Sequence, residues 1–341
     1  MVRVVVDAMG GDHAPREITR GAVAAAKQSP ELTVLLVGNE EQVRAELPDD
    51  TPLDRVQVIH AEHVVEMHES PVSALKSKRD TSIGKSVGLL AVGEADALVS
   101  AGNTGGVVAA STIGLPRLPN ARRAGIAVPL PARGGPCVLM DVGANIQCKP
   151  LHLVQYAVMA NEYAMRVLDV AKPRVAILSV GDEESKGNPL VKKVGSVLRA
   201  YDGVQFVGNV EGQQIFAGDA DVVICEGFVG NVILKAAEGL SDVFYRYMLA
   251  ELNSHMGAED NRVNEILSDF RRETDYAHYG GAPLMGHAGS VFICHGRSSA
   301  RAMENAVLCA ANFVEHGVPD GIAEALNRLA SSDALAELAK G

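Results

Sequence analysis

The 341-residue chain contains no tryptophan, and aromatic residues make up only 4% of it, although hydrophobic residues reach 47%. Its core must therefore be built of Val, Ile, Leu and Ala, the composition of a parallel sheet covered by helices. Cysteine is scarce: Cys137, Cys148, Cys225, Cys294 and Cys309 are scattered without CxxC spacing. That argues against a disulfide scaffold and the common zinc patterns, and for reduced, buried thiols in a cytosolic protein. Nowhere do 18 apolar residues follow one another, and Val2 opens a strand-like run with no charged segment before it. Neither a membrane span nor a secretory leader is expected. Positive charge is in deficit, 31 Lys and Arg against 42 Asp and Glu, net −11. A nucleic-acid partner would want a basic stripe, so none is expected.

Familiar signatures are missing as well. Gly84, Lys85 and Ser86 resemble the end of a P-loop, but its first glycine would fall on Arg79, so no Walker site is expected. No GxGxxG follows a strand and there is no GxSxG elbow, which argues against a Rossmann dinucleotide site and a serine hydrolase. His60, His63 and His68 alternate with Glu62, Glu66 and Glu69. Their spacing matches no metal motif and reads as a solvated loop; the sequence demands neither a metal nor a cofactor.

What the chain does have is one arrangement repeated six times. An apolar, β-branched run stops at a small polar turn: VRVVVDAMGGDHAP from Val2, ALVSAGNTGG ending at Gly106, VLMDVGAN ending at Asn145, VAILSVGDEESKGN ending at Asn188, VVICEGFVGN ending at Asn231 and VFICHGRSS ending at Ser299. Such runs read as buried parallel strands, whose carboxyl ends would lie along one rim of the sheet, where α/β proteins bind ligands. Turns rich in glycine and side-chain amides, several of them opening helices, suit a phosphate held by backbone N–H groups. Lys186 is the only lysine inside any of the six turns; it would offset anionic charge or assist a leaving group, unless it is an ordinary surface lysine. His13 could donate to phosphate or shuttle a proton, the alternative being a surface histidine beside a tight turn.

Strands are expected at residues 3–6, 32–37, 56–60, 138–140 and 175–179, alternating with helices at 16–27, 87–94, 105–112, 151–168 and 190–201, the rhythm of βαβ units. Residues 114–136, with five prolines and four arginines, break it and read as a long functional or interface loop. Residues 70–86 carry Lys76, Lys78, Arg79 and Lys85 and read as a basic lid or docking loop for an acidic partner, or as a solvated loop. A helix from residue 231 to about 252 has one strongly apolar face, suited to core, subunit or lipid contact. With no linker or repeat, residues 1–335 are expected to form a single continuous α/β unit, two-lobed with its cleft at the strand carboxyl ends, and 336–341 a tail.

Taken together, DAMGGDHAP, SPVSALKSKRDTSIGKS, SAGNTGG, DVGAN with CKPLHLVQYA, SVGDEESKGN, GNVEG, GFVGNVILK, YGGAPLMG and HGRSSARAMENA resemble the bacterial phosphate acyltransferase family of phospholipid synthesis, in family order from Val2 to about Val314. The resemblance implies a phosphotransacetylase and isopropylmalate dehydrogenase type of α/β architecture, a mostly parallel sheet flanked by helices. It implies transfer of a long-chain fatty acyl group from acyl carrier protein to inorganic phosphate, giving an acyl phosphate that a membrane glycerol-3-phosphate acyltransferase consumes. A cytoplasmic homodimer, peripherally associated with the membrane, is implied too. Carried over by position, the catalytic candidates are Lys186, Asn231, His13 and His295. The substrate-binding candidates are Asp7, Gly10, Gly11, Asp12, Lys78, Ser100, Asn103, Thr104, Gly105, Asp141, Asn145, Asn188, Glu226, Gly227 and Gly230. Gly102, Gly187, Glu211, Lys235, Gly280 and Gly281 match as well. Glu226 stands where aspartate is more usual, Arg122 to Gly125 fit the family loop loosely, and His287 replaces an apolar residue. The polar stretch 253–264 stands where some relatives carry an apolar tip. An acidic carrier protein would dock on Arg246, Arg262, Arg271 and Arg272, or on Lys192, Lys193 and Arg199. The competing readings are a phosphotransacetylase-like enzyme using acyl coenzyme A, and a non-catalytic sensor of phosphate or lipid precursors.

Overall fold

Alternation of β-branched runs with amphipathic segments builds one eleven-stranded sheet between two helical layers. The structure, a computed structural model, describes residues 1–66, 68–78, 80–256, 261–274 and 280–339. The strands are β1 (Val2–Asp7), β2 (Leu32–Gly38), β3 (Val56–His60), β4 (Ala97–Ser100), β5 (Gly125–Leu130), β6 (Cys137–Met140), β7 (Arg174–Leu178), β8 (Gln205–Val210), β9 (Val222–Ile224), β10 (Ala282–Met285) and β11 (Ser290–Ile293). Their order is β3-β2-β1-β4-β11-β10-β5-β6-β9-β7-β8. Side-chain alternation sorts β1: Val4 and Val6 face the layer that contains α1 (Arg16–Gln28), α6 (Pro150–Val167), α7 (Pro189–Ala200), α11 (Ala300–Glu315) and α12 (Val318–Ala330). Val5 faces the layer of α4 (Ser82–Ala91), α5 (Thr104–Gly114), α8 (Gly212–Ala217) and α9 (Gly227–Met256). Each fully buried Val or Leu contributes roughly 1.5–3 kcal/mol, so two such layers can hold a sheet this wide. Two short helices, α2 (Glu40–Ala45) and α3 (Pro71–Ser77), and α10 (Asn261–Thr274) complete the set.

The pairing directions revise the expectation of a single rim. β3, β2, β1, β4 and β11 are parallel to one another, and so are β6, β9, β7 and β8. Between the two blocks lie three antiparallel pairings, β11 with β10, β10 with β5 and β5 with β6. An odd number of reversals turns the second block against the first along the ladder. The turns after β1, β4 and β11 therefore share one edge, and those after β6, β7 and β9 share the other.

Residues 114–136 are not one loop. Their middle is β5, buried along its whole length, and Pro129 hid it. β5 pairs with β10 only at Gly125 and Ile126, and with β6 from Ala127 to Leu130. Pro129 thus sits where one flank of the strand has left the ladder, the position a proline tolerates. Residues 70–86 are likewise α3 and the start of α4 rather than a loop, with Lys78 bound to Glu69 at 2.7 Å and Lys85 to Asp80 at 2.8 Å; Arg79 lies outside the described residues. A 3-10 helix, Asp333–Ala339, runs across the tail boundary expected at residue 335 and buries Ala334; residues 340 and 341 lie outside the described residues. No helix among the described residues is long and apolar enough to cross a membrane.

Candidate functional site

The sequence-derived residues fall into two groups, one in each half of the sheet. In the first, β1 ends at Asp7, which is buried and accepts a 2.8 Å hydrogen bond from the Ser100 hydroxyl at the end of β4. Burial raises the Asp7 pKa, the Ser100 bond opposing part of the shift, and Oδ1 has no partner. The adjoining backbone is tightly apposed: a Cβ at Gly10 would stand 2.7 Å from the Gly102 nitrogen. Asp12 N–H donates to the Gly296 carbonyl at 2.7 Å, tying the first turn to the one after β11. His295 Nδ1 accepts from Arg297 N–H at 3.2 Å, which leaves Nε2 as the protonated position of a neutral ring. His13, Thr104 and Gly105 are exposed beside this group. Asn103 is the N-cap of α5, its Oδ1 accepting from Gly106 N–H at 3.0 Å, so that oxygen is occupied by the helix. Lys78 is held by Glu69 and by the Val64 carbonyl.

The second group is organised by Asp141, fully buried at the end of β6. Oδ1 accepts from Ile126, Gly143 and Ala144 N–H at 3.0, 3.1 and 3.0 Å, and Oδ2 from Asn145 N–H and Asn145 Nδ2 at 2.8 and 3.2 Å. Burial raises its pKa, and the bonds from Ala144, Ile126 and Asn145 pull the other way. Asn145 is thereby a brace; its Nδ2 also donates to Tyr156 Oη at 2.8 Å. The next turn packs on this one without a spare atom. Gly227 N–H donates to the Asn145 carbonyl at 2.9 Å, and a Cβ at Gly230 would lie 2.0 Å from the Asp141 carbonyl oxygen. That contact sets the start of α9 and brings Asn231 against Gly143. Asn231 is exposed and its amide makes no hydrogen bond among the described residues.

Around the same edge, Asn188 caps α7 through Val191 N–H at 2.9 Å, and exposed Lys186 leads into it past Gly187, whose φ is +92°. A small pocket of about 210 Å³ there is lined by Ser179, Asn188, Glu226 and Val229 among others, and the Ser179 hydroxyl is buried without a partner. Glu211 caps α8, and Lys235 pairs with Glu238 at 2.8 Å. Gly280 and Gly281 have φ of +88° and +86°. Nothing hydrogen-bonds Asp7, His13 or His295 to Lys186 or Asn231. The thiols are poor nucleophiles: burial pushes Cys137, Cys294 and Cys309 up to about 12 and Cys148 to about 11, and Cys225 rises well above its ordinary value. Among the described residues no three His, Cys, Asp or Glu side chains are grouped to hold a metal.

Sequence reasoning passed over a larger feature. A cavity of about 960 Å³ opens between α5 with the segment that follows it and the turn from β6 into α6; Arg117, Arg122, Arg123, Lys149, His152 and His287 line it. Its signal was visible, because residues 114–136 hold four arginines and no acidic residue.

Comparison with known proteins identifies the family. Residues 2–320 match the model of the family described as fatty acid synthesis protein. The phosphate acyltransferase of Pelotomaculum thermopropionicum is 44% identical over 330 residues, 96% of each chain. That of Desulforamulus reducens is 45% identical, covering 96% of this chain and 98% of its own. Among solved structures, a phosphotransacetylase from Streptococcus pyogenes superimposes with a TM-score of 0.63 at 20% identity, over 92% of this chain and 94% of its own. That likeness is one of fold, as expected for a mostly parallel α/β sheet flanked by helices. With the family match spanning nearly the whole chain and curated relatives at this identity, the protein belongs to the fatty acid synthesis protein family that contains the phosphate acyltransferases.

Proposed function

We propose that the protein transfers a long-chain fatty acyl group from acyl carrier protein to inorganic phosphate, releasing acyl phosphate for phospholipid synthesis. The observation that carries the reading is the second edge, where Asn231 at the start of α9 is exposed beside glycines seated on the Asp141 turn, and exposed Lys186 adjoins Gly187 and Asn188, which share a pocket with Glu226 and Val229. The names of the phosphate acyltransferase relatives support it. Phosphate is already anionic near neutral pH, so its attack on a thioester requires positioning and charge neutralisation more than a strong base. A phosphate oxygen bonds to the carbonyl carbon, Asn231 and backbone N–H groups hold the tetrahedral oxyanion, and collapse breaks the C–S bond. The thiol leaves readily, its pKa being about 8.5, and Lys186 offsets the charge or protonates the thiolate. With every thiol pKa raised, no acyl-cysteine intermediate is invoked. His13 and His295 lie at the first edge, away from Lys186 and Asn231, so proton transfer in this step falls to Lys186, and Gly10 and Gly102 pack on one another there.

The acidic carrier protein docks on Lys192, Lys193 and Arg199, because α7 begins three residues beyond Lys186. Arg199 is paired with Glu184 and Arg246 of the other patch with Asp242, so the choice rests on closeness to Lys186; the side chains of Arg271 and Arg272 lie outside the described residues. A homodimer forms on α9, where Leu240, Val243, Phe244 and Tyr247 are 50–64% exposed, an apolar stripe that a lone chain would leave in water. The product passes to a membrane glycerol-3-phosphate acyltransferase, which calls for peripheral association of a cytoplasmic enzyme with the membrane; the tip expected at 253–264 lies partly outside the described residues.

The test is incubation with labelled phosphate and palmitoyl acyl carrier protein, with palmitoyl coenzyme A in parallel. Labelled acyl phosphate mainly from the carrier thioester is the expected result. Product only from coenzyme A would replace the carrier protein by that donor, and none from either would leave a sensor.

A further inference from the structure

Four cations that share a cavity without a counter-charge repel one another unless an anion joins them. Arg117, Arg122, Arg123 and Lys149 line the 960 Å³ cavity, no carboxylate does, and none of the four forms an ion pair among the described residues. Their charges reach the neighbouring rings. The His152 pKa is lowered, by burial first and then by Arg123 and Lys149. For His287 burial lowers it, the Pro116 carbonyl opposes that shift and Arg117 adds to it. The wall is fixed by backbone: Leu118 N–H donates to Gly286 at 3.0 Å, Ala288 N–H to Pro116 at 2.9 Å, and Arg117 bridges to His287. Arg117 is oriented by a 2.7 Å bond from its Nη1 to the Arg122 carbonyl.

A second observation points to a ligand. His287 is only 3% exposed, lines this cavity, and has no well-formed hydrogen bond at either ring nitrogen, its contact with the Pro116 carbonyl falling short of one. Leaving such a ring dry and unpaired is costly. A neutral imidazole offers one donor and one acceptor, which suits an oxyanion that carries a proton on one oxygen. Guanidinium groups in number favour a planar or tetrahedral oxyanion held through paired N–H donors. The cavity also presents Val108, Leu115 and Leu151, room for an organic group beside the anion.

We propose that this cavity is a phosphate-group subsite, held by Arg117, Arg122, Arg123 and Lys149 with His287 beneath, and separate from the Lys186 and Asn231 turns. It rests on the acyl-transfer reading only for the source of the phosphate: inorganic phosphate itself, or the phosphodiester of the phosphopantetheine arm common to carrier-protein and coenzyme A thioesters. The Asp141 turn connects it to the reaction centre, since Ala144 and Asn145 line the cavity while Gly143 meets Asn231.

Arg123 and Lys149 are exposed, so Arg123→Gln, Lys149→Gln and the double variant should keep the wild-type circular dichroism and Tm. Calorimetric titration of the full chain with inorganic phosphate and with 4′-phosphopantetheine, against pantetheine at matched ionic strength, should show at least tenfold weaker binding of one phosphate probe in the double variant. The KM of the matching substrate should rise while the other holds. A rise for phosphate identifies the co-substrate, and a rise for the thioester identifies the arm. If no thioester reacts yet phosphate binding still depends on Arg123 and Lys149, the subsite stands and the reaction assignment falls. Binding of both probes within twofold of wild type in the double variant overturns the subsite.

Discussion

Replacing Asp141 by Asn tests whether the second edge is organised as described. Whichever way the amide turns, its oxygen can serve only one of the two sets of donors. Facing Ile126, Gly143 and Ala144, it abandons Asn145 N–H and Nδ2 and puts an NH2 group against them. Asn145 N–H loses its acceptor and the new NH2 finds none, at about 1–3 kcal/mol each, while Asn145 Nδ2 keeps the Ala124 carbonyl and Tyr156 Oη, so we expect a loss of about 3–5 kcal/mol. Unfolding entropy of about 2.1 cal/mol/K per residue over 341 residues converts this to a Tm lower by about 4–7 °C. Differential scanning calorimetry measures the drop, and acyl phosphate formation should fall with it, because Gly227 and Gly230 rest on this turn. A Tm within 1 °C of wild type would refute the five-donor account and with it the view that Asp141 shapes the site.

Lys186→Ala should lower kcat at least tenfold with an unchanged Tm, since the side chain is exposed; near-normal turnover in a stopped assay would remove it from the mechanism. Iodoacetamide at pH 8 should leave activity intact, because the thiols sit at about 11 to 12 or higher; rapid inactivation would revive a cysteine nucleophile. Asp7 has a folded-state pKa above its unfolded one, so its contribution is whole below the unfolded value of about 3.9 and is lost as pH rises through the folded value. The stability of Asp7→Asn relative to wild type should therefore improve from pH 4 to pH 8 in urea melts, and a constant difference would contradict the shift. Val243→Glu, on the 61%-exposed position of α9, should shift sedimentation from dimer to monomer; an unchanged coefficient would move the interface elsewhere.

The six apolar runs ended as strands β1, β4, β6, β7, β9 and β11, because β-branched runs of that length, closed by glycine-rich turns, leave a buried chain few alternatives. Helix ends were legible for a similar reason: Asn103, Asn188 and Ser299 each satisfy an orphan N–H of their own helix. The caps occupy only the amide oxygens of Asn103 and Asn188, whereas a phosphate oxygen would accept from the amide nitrogen, so capping and phosphate binding are compatible. β5 and β10 escaped notice because each carries a proline, tolerable only where a neighbouring ladder stops. Strand direction was beyond local pattern altogether. Whether six turns share one edge depends on how many antiparallel pairings separate the two blocks, which is a property of contacts between residues far apart in sequence. The cationic cavity belongs to the same class. Its arginines are visible in the chain, but only the closure of residues 114–124 onto Lys149, His152 and His287 makes them neighbours and leaves their charge without a partner. Composition and periodicity determined strands and helices, and the motifs in their order pointed to the family. Long-range pairing alone decided which polar groups were consumed by the fold and which remain for a ligand.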